Sequence, residues 1–232
     1  MNSRLEHSIR EHSVIIQDGF IQLKGELAIP EQAEGIIVLA HGSGSDRHHR
    51  FNEPIAHALR QTALATFSIN LLTPTEEDID MRTQHYRFDI GLLALRLSKV
   101  TEWLLQNPET CHLKIGYFAA NTESAVALVA ASDHPEAVQA IVSRSGRTDL
   151  AGTALSRIKT PTLLIVGSSD FPGVGMNQDA LAQLQVAKQL AIVPGATHLF
   201  EEQGALAEAI EFACRWFASH LTSSCEPTQS SN

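Results

Sequence analysis

Apolar and polar positions along the chain follow two alternating periods. Val14, Ile15 and Ile16 run into Asp18-Gly19, a turn dipeptide, and Ile21, Leu23, Leu27 and Ile29 then recur on even spacing. Val14 to Ile29 is therefore predicted to be a β-hairpin, closed by Pro30. Gly35 to Ala40 is an unbroken apolar run, too short for a helix and suited to a strand buried on both faces. Pro54 to Gln61 then carries Ile55, Ala56 and Leu59 at helical spacing, and Ala65 to Leu71 is strand-like. The acidic run from Glu76 to Asp80 is read as a solvated loop. Tyr86 to Gln106 places Leu92, Leu93, Leu97, Val100 and Leu104 on one helical face, with Asn107-Pro108 as the stop. Leu113 to Phe118, Val138 to Ser143, Thr162 to Val166 and Leu190 to Val193 are further strands, and Thr122 to Ala131 is a helix of small residues. Gln203 to His220 closes the pattern as an amphipathic helix with Leu206, Ile210, Cys214 and Phe217 on one stripe.

Strands alternating with helices predict an α/β fold: a mostly parallel central sheet with helices on both faces and the N-terminal hairpin antiparallel at one edge. Residues 1–12 are taken as an N-terminal extension and 13–221 as one domain. The Ser-, Thr-, Pro- and Gln-rich stretch 222–232 is taken as a disordered tail. At 232 residues, a single core needs no disulfide or metal staple. The net charge of −9 and pI near 5.6 argue against a nucleic-acid partner. No apolar run is long enough for a bilayer span, and Met1 to Glu11 is too polar for a signal peptide. Cys111, Cys214 and Cys225 are odd in number and irregular in spacing, which suits free thiols in a reducing compartment. These features lead to the expectation of a cytoplasmic monomer or homodimer with no membrane or nucleic-acid partner.

In an open α/β sheet, chemistry sits on the loops that leave the carboxyl ends of the strands. In chain order these are His41-Gly42-Ser43-Gly44-Ser45, Ala119-Ala120-Asn121-Thr122-Glu123, Gly167-Ser168-Ser169-Asp170 and Pro194-Gly195-Ala196-Thr197-His198. A strand–elbow–helix, then an acid, then a histidine is the chain order of an α/β-hydrolase. From Val14 to Leu221 the sequence resembles dienelactone-hydrolase-like α/β-hydrolases. The resemblance is carried by Ala40–Ser45, Arg87-Phe88-Asp89-Ile90-Gly91-Leu92-Leu93, Ile115-Gly116-Tyr117-Phe118, Ser143-Arg144-Ser145-Gly146-Arg147 and His198-Leu199-Phe200-Glu201-Glu202. It implies the α/β-hydrolase fold, a Ser or Cys nucleophile on the elbow with an Asp and a His, and hydrolysis of an ester, lactone or similar acyl bond.

The elbow departs from that pattern. Where the family has Gly-x-Ser-x-Gly, or Cys in the centre, this chain has Ala119 to Glu123, so Asn121 stands in the nucleophile position. An amide offers no readily activated oxygen or sulfur. Asp170 and His198 take the acid and base positions, against the plainer readings that Asp170 caps the next turn and His198 is a surface residue. His41, Gly42, Ser43 and Thr122 would form an oxyanion-type loop, with the Ser43 and Thr122 amides as donors. Glu123, turned inward, would oppose a developing anion there. Arg144 and Arg147 follow a strand end, where they could hold an anionic group or pair on the surface. Ser124 is a poor substitute nucleophile on the first helical turn. His41, Asp46, His48 and His49 lack consistent metal-ligand spacing, so no metal is expected. No stretch is a Walker or dinucleotide fingerprint, and no cofactor is implied. Two functions remain open. One is a hydrolase-lineage protein, weak or inactive in ordinary Ser/Cys hydrolysis, that binds a small ester- or lactone-like molecule. The other is an active hydrolase in which His198 activates water and Asn121 positions it.

Overall fold

The computed structural model describes residues 8–42 and 45–222, the side chains of residues 45–51 excepted. Ser43, Cys225 and the predicted tail beyond Thr222 lie outside the described residues, as do the side chains of Asp46, Arg47, His48, His49 and Arg50. Eight strands form one sheet: β1 (Ile9–Asp18), β2 (Ile21–Pro30), β3 (Gly35–His41), β4 (Leu64–Asn70), β5 (Lys114–Ala120), β6 (Val138–Arg144), β7 (Thr162–Gly167) and β8 (Lys188–Val193). Their order is β1-β2-β4-β3-β5-β6-β7-β8, antiparallel at β1–β2 and β2–β4 and parallel elsewhere. β3 lies in the middle and is buried along all but its last residue, as an apolar parallel strand should be. Its side chains alternate between two cores. Ile36 and Val38 join α3 (Ile90–Gln106), α4 (Thr122–Asp133) and α5 (Phe171–Gln183) on one face, and Ile37 and Leu39 join α1 (Ser45–Gln61) and α6 (Ala205–Leu221) on the other.

Several elements differ from the sequence reading. β1 begins at Ile9, so residues 9–12 belong to the sheet. Asp18 pairs with Ile21, and the two-residue turn is Gly19-Phe20, with Gly19 at φ 58° in the first central position. The acidic stretch read as a solvated loop is helix α2 (Pro74–Thr83). Thr73 caps it with a reciprocal Thr73/Glu76 capping box, and Pro74 stands in the first turn, where its missing N–H costs nothing. Asp80 in that run is fully buried and bonded to Arg87. The long helix begins at Ile90: Tyr86–Phe88 is a 3₁₀ turn, and Asp89 caps α3 through the Leu92 N–H. In α6 the buried stripe is Ala205, Ala209, Ala213, Phe217 and Leu221, while Leu206, Ile210 and Cys214 are half-buried. Three alanines on the sheet side let the helix sit close to the strands, so the larger side chains fall at its flank. Among the described residues, no helix is long and apolar enough to cross a membrane.

Candidate active site

β5 passes into α4 through a single residue, Asn121, whose backbone has φ 53° and ψ −128°. This lies outside the left-handed helical region in which Asn is at ease, and such a conformation costs a residue with a Cβ about 1–3 kcal/mol. Main-chain bonds hold it. The Asn121 N–H donates to the Arg144 carbonyl at 3.4 Å, and the Asn121 carbonyl accepts from the N–H groups of Arg147 at 2.9 Å and Ser124 at 3.3 Å. The end of β6 and the loop after it thus clamp the elbow.

His198 and Asp170 meet Asn121 from the loops after β8 and β7. His198 Nδ1 is 2.8 Å from Asp170 Oδ2, and His198 Nε2 is 2.9 Å from Asn121 Oδ1. Asp170 makes two contacts, because besides the one to His198 its Oδ1 accepts the Gly173 N–H at 3.1 Å and caps α5. The hydrogen-bond arithmetic is restrictive. A neutral ring that donates Nδ1–H to Asp170 has only a lone pair at Nε2, and that matches the Asn121 NH₂ after an amide flip. The oxygen placed there instead requires an Nε2–H, which either the imidazolium or the other neutral tautomer supplies, the latter with a proton on the Asp170 carboxyl. In either state Asn121 occupies the ring nitrogen that would otherwise take a proton from a nucleophile.

Sequence reasoning missed the residues that hold the His198 loop. Ser145, at φ 48° just past β6, donates its Oγ–H to the His198 carbonyl at 2.8 Å. Glu202 accepts from the Thr197 N–H at 3.1 Å and its hydroxyl at 2.6 Å. The Gly195 N–H donates to Ser168 Oγ at 2.7 Å, and the Ser169 N–H to the Ala196 carbonyl at 2.9 Å. Ser145 lay within a segment that resembles the family, but its residue type alone carried no signal of this contact.

The other expected site residues are dispersed. Glu123 turns inward and is buried. A Cβ on Gly42 would lie 2.2 Å from its Oε1, so any larger residue there would displace the Glu123 carboxyl. Burial pushes the Glu123 carboxyl up to about 7, against the bonds it accepts from backbone amides, including that of Gly42, and from the Thr122 hydroxyl. The inward charge expected from the sequence is thus partly quenched near neutral pH. His41 bonds Asn52 through Nδ1 at 2.9 Å and, with Gly42, Ala119, Ala120 and Glu123, lines a cavity of about 10 Å³, room for one water. The Arg144 guanidinium is buried, lies 5.5 Å from the Phe200 ring centre, and is lowered to about 10 by burial. Arg147 instead pairs with Asp149 at 2.9 and 2.8 Å on the surface. Ser124 is fully buried, and a Cβ on Gly146 would sit 2.6 Å from its hydroxyl, which places that group beneath the elbow.

The strand order, the elbow between β5 and α4, and the Asp–His pair on the next loops define an α/β-hydrolase. A dienelactone hydrolase from Anabaena variabilis is 54% identical with a TM-score of 0.90, the match covering 93% of this chain and 100% of that one. The chain belongs to the dienelactone-hydrolase family. The esterase Est1E from Butyrivibrio proteoclasticus shares the fold at 12% identity and a TM-score of 0.70, over 89% of this chain and 99% of that one. Two Mycobacterium tuberculosis proteins, from different strains, each named "Putative phosphoribosyl transferase", are 47% identical over 213 residues, or 92% of this chain. The chain spans about half the length of these curated relatives, 47%. No family model matches the chain.

Proposed function

We propose that this chain is a dienelactone-hydrolase scaffold with Asn121 in the nucleophile position, that it is weak or inactive in ordinary acyl transfer, and that it binds a small ester- or lactone-like molecule. The observation that carries this reading is the 2.9 Å contact between Asn121 Oδ1 and His198 Nε2. The amide holds the base's reacting nitrogen and has nothing to offer a carbonyl carbon. A site without its nucleophile retains only about 10³–10⁴-fold acceleration over water, from oxyanion contacts and binding. We assign the transferase name of the curated relatives to the half of those chains that this one does not span, since the half it spans is 47% identical to a chain with the α/β-hydrolase fold.

A second reading keeps hydrolysis, with His198 activating water and Asn121 positioning it. It is favoured by the exposure of the His198 side chain, 45%, which lets solvent reach the ring. A panel of aryl esters and lactones, measured for binding and turnover with the wild type and His198→Ala, separates the two. The first reading expects saturable binding with little turnover and little change of rate in the variant. Rapid turnover abolished by His198→Ala would overturn it in favour of the second.

A further inference from the structure

The elbow conformation that suits a nucleophile has a different consequence when its residue is asparagine. Substituents on a tetrahedral carbon are about 120° apart in projection, so at ψ −128° the Asn121 Cβ lies within about 10° of eclipsing the Thr122 nitrogen. This is the arrangement of the five-membered ring formed when a backbone nitrogen attacks the side-chain amide carbon of the residue before it. In an ordinary helix or strand the Cβ stands roughly 80–105° away from that nitrogen. Ring closure at Asn121 therefore needs rotation of the side chain and no movement of the backbone.

Two further features assist the closure. The oxygen that gains negative charge on addition is Oδ1, 2.9 Å from His198 Nε2, which can donate to it when protonated. The attacking nitrogen belongs to Thr122, the first residue of α4, whose N–H has no acceptor within the helix and sits at the positive end of the helix dipole.

We propose that Asn121 is a self-modifying residue, converted in the folded protein through a cyclic imide to aspartate and isoaspartate. The Thr122 nitrogen bonds to Asn121 Cγ and loses its proton to solvent. Nδ2 takes up a proton and leaves as ammonia. Water then opens the imide at either carbonyl. One water is consumed, one ammonia is released, and no redox partner is needed. Opening at the main-chain carbonyl yields isoaspartate, whereas opening at the side-chain carbonyl places a carboxylate beside His198. The inference rests on the elbow geometry and is independent of whether the pocket takes a lactone.

The other asparagines among the described residues serve as internal controls. Asn52 lies in α1, Asn177 in α5 and Asn70 at the end of β4, none with the elbow's backbone. Asn107 has ψ 127° and precedes Pro108, which has no N–H to lose. The test is incubation of the wild-type protein at neutral pH in oxygen-18 water, folded and in denaturant, followed by peptide mapping with hydroxylamine trapping of the imide. The expected result is conversion of residue 121 in the folded chain, with label incorporated and an imide trapped. Its rate should be about ten-fold or more above that in the denatured chain and above those of Asn52, Asn70 and Asn177. Asn121→Gln, which keeps an amide beside His198 but can close only a larger ring, should remain unmodified. Persistence of Asn121 in the folded chain, conversion only in denaturant, or labelled aspartate without a trappable imide would each overturn the proposal. Lactone binding measured on the same samples reports on the proposed function separately.

Discussion

At Asn121 and Glu123, an amide and a buried carboxyl stand on a tight turn from strand to helix, with Asn121 at φ 53° and ψ −128°. Glu123 is the more exposed to a simple test. Burial holds its carboxyl at about 7 in the folded chain, against an ordinary value of 4.5. Below about pH 4.5 the group is protonated folded or unfolded and costs nothing. As pH rises from 4.5 to 7 the unfolded chain ionises first, so the folded state loses stability, by an amount on the order of 3 kcal/mol that levels off above 7. Glu123→Gln should therefore stabilise the protein more at about pH 8 than at about pH 4, as read by urea denaturation. An equal effect at both values would contradict the burial account. The Asp170 and His198 positions were legible in the sequence because each directly follows a strand in the hydrolase chain order. Ser145 and Gly42 were not so legible: a hydroxyl bonded to a carbonyl 53 residues away, and a glycine packed against the distant Glu123 carboxyl, leave no local pattern.

Among the elements, α2 shows where periodicity misleads. Its apolar positions are too sparse for an amphipathic stripe, but Thr73-Pro74 with Glu76 in register is a helix start that capping chemistry could have identified. What fixes α2 against the body is Arg96 on α3, which donates to Glu76 at 2.8 and 2.6 Å and to the Leu71 carbonyl at 2.7 Å. Burial works against the Glu76 carboxylate, but the Arg96 and Thr73 donors outweigh it and bring it down to about 2. Because the folded value is the lower one, this stabilisation is fully present above about pH 4.5 and is lost as pH falls toward 2. Arg96→Leu leaves Glu76 unpaired and should cost roughly 3–5 kcal/mol at neutral pH. The cost should shrink on acidification, as measured by denaturation at two pH values; a cost independent of pH would remove the ion pair as its cause. In α6 the sequence pattern favours Leu206, Ile210 and Cys214, but close packing against the sheet places Ala205, Ala209 and Ala213 inward, one position earlier, with Phe217 common to both.

Across the whole molecule, the alternation of strands and helices led to the right sheet because parallel strands buried on both faces have a plain sequence signature. The hairpin edge followed from its turn dipeptide, displaced by one residue. The central proposal is that a hydrolase frame surrounds a nucleophile position filled by Asn121. Restoring the nucleophile tests that claim most directly. In Asn121→Ser combined with Glu123→Gly, the new hydroxyl would face His198, already oriented by Asp170 at 2.8 Å, and the buried carboxyl beneath Gly42 would be gone. Asn121→Ser alone should recover less, because the buried Glu123 carboxyl still stands beside the Thr122 residue proposed as an oxyanion donor. The measurement is burst-phase release from an activated aryl ester, which reports acyl-enzyme formation. The account predicts a burst in the double variant, a smaller one in the single variant and none in the wild type. A folded double variant with neither a burst nor labelling by a serine-directed probe would contradict it.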